Sequence, residues 1–219
     1  MSAPIAGNIA DANQPFKHPV NRPPESYSTL ERLLLSPLRR CANPAFGAVA
    51  RLLQRVGVSP NAVSLTQIPL GVVIAWQLGQ NPILALALFV LALLLDGLDG
   101  ALARMSGRAS GYGALVDQVA DHVRELTVMA GFAAAGLISG GVATMYAAAY
   151  PLLNALLWIG DRHGRPARVS AKVWLTFYPF FALWALTGVN WLNWAAAATA
   201  ALLLLSSAWQ LWLLRTSRL

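Results

Sequence analysis

Charge is scarce in this sequence: 11% of its 219 residues are charged, whereas 57% are hydrophobic. A soluble domain of this length breaks its apolar stretches with charge every few residues to keep one face wet. The scarcity therefore excludes an ordinary soluble fold and points to a chain embedded in lipid. Lysine is almost absent, with only Lys17 and Lys172. Without a lysine-rich tract or a basic motif, the net charge of +7 does not make nucleic acid a partner. Cysteine occurs once, at Cys41, which excludes an intramolecular disulfide and a thiolate metal cluster and leaves a small buried residue. Residues 1–26 are polar and Pro-rich. They lack the charged and apolar regions of a secretory signal and are expected to form a disordered cytoplasmic tail.

What the chain does have is apolar length. Residues 27–57 repeat Leu and Ala at helical spacing with Arg32, Arg39, Arg40, Arg51 and Arg55 between them, the pattern of an interfacial amphipathic helix, broken at Pro37 and Pro44. Six apolar segments follow near 62–79, 82–105, 112–137, 141–160, 170–188 and 191–214, each close to the ~20 residues that cross a bilayer. The connections GQNP, ISGG and TGVN carry no Lys or Arg. The alternate connections hold Arg104 and Arg108, then Arg162, Arg165, Arg168 and Lys172, and Arg215 and Arg218 come last. By the positive-inside rule both termini and the basic loops face the cytoplasm. The expected fold is all-α: a polytopic protein of the cytoplasmic membrane with six transmembrane helices preceded by an interfacial amphipathic helix. Its divisions are a tail over 1–26, a juxtamembrane segment over 27–57 and a membrane domain over 58–219.

Acidic residues are the exception to the apolar rule. From residue 62 onward they are Asp96, Asp99, Asp117, Asp121, Glu125 and Asp161. An ionised carboxylate at the centre of a span costs about 2.5–3.5 kcal/mol on insertion scales, so a group of them needs compensation. Asp96 and Asp99 are three apart and Asp117 and Asp121 four apart, so each pair shares a helix face, and two antiparallel neighbours bring all four together. Oxygen donors without matching basic partners suit hard cations such as Mg²⁺ or Mn²⁺, with substrate phosphates completing the shell. Gly100 and Gly113 remove side chains where a backbone or a diphosphate approaches, and Arg104 stands on nearly the face of Asp96, placed to clamp a phosphate. Two other readings fit the acids alone. One is an ion-paired scaffold with Arg104, Arg108 and Arg124, and the other is a proton-coupled transporter.

Written out, the pattern is Asp96-x-x-Asp99-Gly100-x-x-Ala103-Arg104, eight residues, then Gly113-x-x-x-Asp117-x-x-x-Asp121. It resembles the signature of the CDP-alcohol phosphotransferase family at all eight defining positions. Ser59-Pro60-Asn61-Ala62-Val63-Ser64 also resembles the family's Pro-Asn element, and the layout agrees over residues 27–215. The resemblance implies transfer of a phosphatidyl group from a CDP-linked lipid such as CDP-diacylglycerol to the hydroxyl of an acceptor alcohol, with release of CMP. It implies two divalent ions, Mg²⁺ or Mn²⁺. Asp96, Asp99 and Asp117 would hold one ion, and Asp96, Asp117 and Asp121 the other, with Asp121 also the general base. Asn61, Gly100, Arg104 and Ser110 would contact the CDP moiety, and a homodimer in membrane lipid is expected.

The acceptor is less constrained. Arg162, Arg165, Arg168 and Lys172 form a basic collar suited to the phosphate of glycerol 3-phosphate or inositol phosphate, and equally to a topology determinant. An uncharged or amino-alcohol acceptor stays open. Arg124 reads as a further acceptor candidate or a counter-ion to Glu125, and His122 as packing off the motif face.

Overall fold

The structure, a computed structural model, describes residues 46–162 and 170–216. Every regular element among them is helical. Helix α1 runs over Phe46–Arg55 and meets α2, Pro60–Gln77, at a bend of 107°. There follow α3 (Pro82–Met105), α4 (Gly111–Ala134), α5 (Gly140–Arg162), the short α6 (Val173–Thr176), α7 (Tyr178–Thr187) and α8 (Leu192–Arg215). The starts are set by local chemistry. Ser59, Asn81 and Ser110 cap α2, α3 and α4 with their side-chain oxygens, and proline opens α2 and α3, where an amide hydrogen is not needed.

Five of the six apolar segments are single helices whose ends shift by up to three residues from the expected ones. The segment at 170–188 is a correction, because it is broken into α6 and α7. Pro179 follows the break and weakens the backbone ladder there, although Pro69 and Pro151 lie inside the continuous α2 and α5; Phe177 bridges the two pieces with φ −118°. By length and composition α3, α5 and α8 can each cross a membrane, and α1 with α2 would make a fourth span as a bent pair. The interfacial segment expected over 27–57 is represented only by α1; residues 27–45 and the tail over 1–26 lie outside the described residues. Leu52 on α1 and Val56 just after it are exposed beside Arg51 and Arg55, while Ala50 packs with Val63, Leu98 and Leu102.

Two kinds of packing hold the bundle. On one side α2 lies parallel to α4 at very short range. A Cβ built at Gly71 would stand 3.0 Å from Arg124 Cα, and one at Gly131 would stand 2.6 Å from Ala75 Cα. Only glycine permits backbones this close. On the other side α5 runs along α8 through Ala149, Ala195, Ala196 and Ala200, and Asn193 Oδ1 accepts from Ser139 N at 2.8 Å where both helices begin. The centre is filled by Phe89, Phe132, Phe177, Phe181 and Trp184 in edge-to-face and stacked contacts. Trp76, Trp191 and Trp194 are exposed at one end of the bundle, and Trp209 and Trp212 at the other. Aromatic belts at both ends are what membrane interfaces favour.

Candidate active site

The carboxylates meet where α3 and α4 face each other. Asp96, Asp117 and Asp121 each offer an oxygen such that all three atoms lie within 4.8 Å of one another. Asp99 sits just outside this trio, 4% exposed, and its Oδ2 accepts from Ser64 Oγ of α2 at 2.6 Å. Its carboxylate is also within hydrogen-bonding reach of Asp117. All four motif acids thus converge as their spacing suggests. The antiparallel hairpin of α3 and α4 aligns the two pairs, and α2 supplies the wall behind them.

Charge in the cluster is unbalanced. Arg124 of α4, 3% exposed, places Nη1 2.9 Å from Asp121 Oδ1. The contact is ionic rather than an aligned hydrogen bond, since neither atom has a hydrogen-bond partner among the described residues. Asp117 Oδ1 is likewise buried and unpartnered. Two ionised carboxylates no more than 4.8 Å apart repel by about 3.5 kcal/mol or more at an effective dielectric near 20. One guanidinium cannot offset that for four acids. The donor set, all hard oxygen with orphaned buried lone pairs, fits Mg²⁺ or Mn²⁺ and suits neither soft metals nor a purely structural ion pair.

The other expected contacts gather at the mouth. Asn61 Oδ1 and Ser110 Oγ both border Gly113, at 3.4 Å and 3.3 Å from where its Cβ would be, and Ser110 Oγ accepts from Gly113 N at 3.0 Å. The Arg104 guanidinium folds back over Gly100, 3.2 Å from the position of a Cβ there. Arg162 is exposed and stacks on Trp158 at 3.6 Å, and Lys172 caps α6. Arg165 and Arg168 lie outside the described residues.

Three features escaped the sequence reading. Ser64 anchors Asp99, a role that its place inside the Pro-Asn element could have signalled. Arg124 has Asp121 as its ion-pair partner rather than its neighbour Glu125, because residues three apart share a face and adjacent ones do not. Glu125, 2% exposed, instead accepts from Tyr146 OH at 2.6 Å and Tyr178 OH at 3.0 Å, which ties α4 to α5 and α7 one turn deeper than the acids. His122 is packing, as expected: its ring rests on Tyr150 and borders an apolar cavity of about 310 Å³ between α4 and α5.

Comparison with known proteins agrees with this geometry. The chain is similar to the archaetidylinositol phosphate synthase of Pyrococcus horikoshii, 28% identical over 106 residues, covering 48% of this chain and 56% of that protein. It is also similar to the archaetidylinositol phosphate synthase of Aeropyrum pernix, 33% identical over 107 residues, covering 45% and 55%. The matched part thus spans just over half the length of these relatives. In fold it resembles the phosphatidylinositol phosphate synthase of Mycobacterium tuberculosis. The crystal structure of that protein with manganese and citrate superposes with a TM-score of 0.64 at 18% identity, over 76% of this chain and 87% of that one. The crystal structure with CDP-DAG bound gives 0.62 at 18% identity, over 76% and 91%. Residues 57–213, which include every motif acid, match the family model of the CDP-alcohol phosphatidyltransferases, and the chain belongs to that family.

Proposed function

We propose that this protein transfers a phosphatidyl group from a CDP-linked lipid such as CDP-diacylglycerol to the hydroxyl of a phosphorylated polyol, releasing CMP. The observation that carries the reading is the convergence of Asp96, Asp117 and Asp121 within 4.8 Å, with buried oxygens that have no hydrogen-bond partner among the described residues. Asp96, Asp99, Asp117 and Asp121 would hold two divalent cations. The chemistry that Mg²⁺ or Mn²⁺ supplies at such donors is neutralisation of a diphosphate and of its leaving group.

The chain's own residues do the rest. Asn61, Ser110 and the backbone at Gly100 and Gly113 surround the entrance where the cytidine diphosphate would lie, and Arg104 offers a forked donor to its phosphates. Asp121 takes the proton of the acceptor hydroxyl while that oxygen bonds to the lipid-side phosphorus and the bond to CMP breaks. Arg124 holds Asp121 in place from 2.9 Å. Because the acids arise from rigid helices packed at glycine contacts, the geometry is set before the substrates arrive.

Arg162, Lys172, Arg165 and Arg168 form the candidate seat for the acceptor's phosphate. Inositol phosphate and glycerol 3-phosphate are the acceptors of choice, and the names of the relatives favour the former. On the basic-loop argument the site faces the cytoplasm in a six-span protein of the cytoplasmic membrane, and the family resemblance alone carries the expectation of a homodimer. Purified protein offered CDP-diacylglycerol and a panel of acceptors should release CMP only with Mg²⁺ or Mn²⁺ and a phosphorylated polyol. Full activity in excess chelator refutes the metal role, and proton-coupled flux in liposomes without CMP refutes the transferase reading.

A further inference from the structure

Helix α2 contributes one more polar side chain to this region. Gln67 is 0% exposed, and both its amide nitrogen and its amide oxygen are buried without a hydrogen-bond partner among the described residues. A buried amide with both ends unmet is costly, and buried polar groups in native proteins are nearly always paired, so each exception asks for a cause.

The location of Gln67 supplies one. It lies three residues after Ser64 and four before Gly71, so the three share one face of α2. Ser64 hydrogen-bonds Asp99 of α3, and Gly71 abuts the backbone of Arg124 on α4. Gln67 is therefore bracketed between the Asp99 level and the Arg124 level, at the junction of α2 with the hairpin that carries the acids. On α4 the residues spanning that interval are those from Asp117 to Arg124, and Asp117 Oδ1, Asp121 Oδ1 and Arg124 Nε are unpartnered too.

We propose that Gln67 is a substrate-binding residue whose carboxamide takes hydroxyl groups of the acceptor alcohol, an inference that rests on the transferase reading above. The chemistry of the two unmet atoms selects the ligand. A phosphate oxygen only accepts and would leave the amide oxygen bare, while a cation would leave the amide nitrogen bare. A hydroxyl both donates and accepts. One acceptor hydroxyl can take a hydrogen bond from Gln67 Nε2 while donating its own proton toward Asp121, and a vicinal hydroxyl can donate to Gln67 Oε1. A polyol meets both demands with two hydroxyls, and an amino alcohol could meet them with its hydroxyl and its ammonium, so the phosphate demand of the basic collar is what favours the phosphorylated polyol. Gln67 is thus an acceptor-binding residue, distinct from the basic collar that would hold the acceptor's phosphate.

The test uses full-length protein in lipid nanodiscs, with Gln67→Met and Gln67→Leu as near-isosteric apolar replacements. Thermal unfolding, calorimetric binding of inositol phosphate and glycerol 3-phosphate, and steady-state CMP release are measured for each. The expected result is unchanged or raised thermal stability, a KM for the polyol increased about tenfold or more, as for a lost hydrogen-bonded contact, and a KM for CDP-diacylglycerol within about twofold. Polyol binding measured without turnover should weaken in parallel. Wild-type KM for the polyol in both variants overturns the inference, and so does an equal rise in both KM values. Failure of both variants to fold also overturns it, because the amide is then structural. Gln67-dependent polyol binding by a wild-type protein that releases no CMP keeps the inference and overturns the transferase reading. Absence of both binding and turnover overturns the two together.

Discussion

The short distance between α2 and α4 makes Gly71 the most informative substitution. An alanine Cβ there would lie 3.0 Å from Arg124 Cα, 3.2 Å from Cγ and 3.3 Å from the carbonyl oxygen. Ordinary carbon contacts optimise at about 3.5–4.0 Å, so the helices must separate by roughly 0.5–1 Å at this level. Two of the three atoms are backbone and cannot swing aside. Overpacking of this kind costs about 1–3 kcal/mol of stability. The kinetic cost is larger than that loss alone suggests, because Arg124 holds Asp121 and Asp121 shares the acid cluster. A misplacement near ~1 Å costs up to about 10²-fold in a positioned reaction. Gly71→Ala should therefore lower kcat by about ten- to a hundredfold in a CMP-release assay while the protein stays folded by thermal denaturation. Gly131→Ala is the control. Its clash is worse, 2.6 Å to Ala75 Cα, but it lies two turns further from the acids. It should cost more stability and less activity than Gly71→Ala. If the two variants lose activity in proportion to their loss of stability, the idea that α2 packing sets the position of Asp121 is wrong.

Asp121→Asn should reduce kcat by about 10²–10⁴-fold, the usual worth of a general base, with little change in KM for the CDP-lipid; equal losses in the two would make Asp121 a binding group only. Ser64→Ala removes the 2.6 Å donor to buried Asp99 and should cost about 1.5–3 kcal/mol, read as a lowered Tm together with a higher metal concentration for half-maximal activity. Tyr146→Phe should destabilise more than Tyr178→Phe, since its bond to Glu125 is the shorter, 2.6 Å against 3.0 Å, and thermal unfolding of both variants checks the order.

The site was legible in the sequence to the extent that it is built from short-range helical spacing. The intervals from Asp96 to Asp99 and from Asp117 to Asp121 put each pair on one face, and a five-residue connection between α3 and α4 leaves the hairpin little choice but to bring the pairs together. What escaped depends on contacts across long sequence separations. Ser64 lies 35 residues from Asp99, and Glu125 finds its donors 21 and 53 residues away. Periodicity says which face a residue occupies and nothing about which helix it meets there. The break at Phe177 is a different case: Pro179 stands beside it, but Pro69 and Pro151 lie inside unbroken helices, so proline alone does not locate a break.

Hydropathy also undercounts the helices that matter most. Helix α4 is 24 residues long but carries Asp117, Asp121, Arg124 and Glu125, and does not qualify as a span by composition. Part of its polar load is compensated from neighbouring helices. Tyr146 and Tyr178 donate to Glu125 from α5 and α7, and Arg124, on α4 itself, answers Asp121. The two donors to Glu125 sit on different elements, so α4 can lie within a bundle of apolar helices only when α5 and α7 are assembled against it. Such dependence couples folding to the site. The compensation that admits α4 leaves Asp117 Oδ1 without a protein partner, and that residual demand is what a bound cation would meet. A variant that replaced Asp96, Asp117 and Asp121 with asparagine would relieve a repulsion of about 3.5 kcal/mol or more for each ionised pair within 4.8 Å and should unfold at a higher temperature than the metal-free parent. Added Mg²⁺ or Mn²⁺ should raise the Tm of the parent and leave that of the variant unchanged. A parent indifferent to both ions would show that the acids balance one another by protonation or pairing, and the coordination reading would fall.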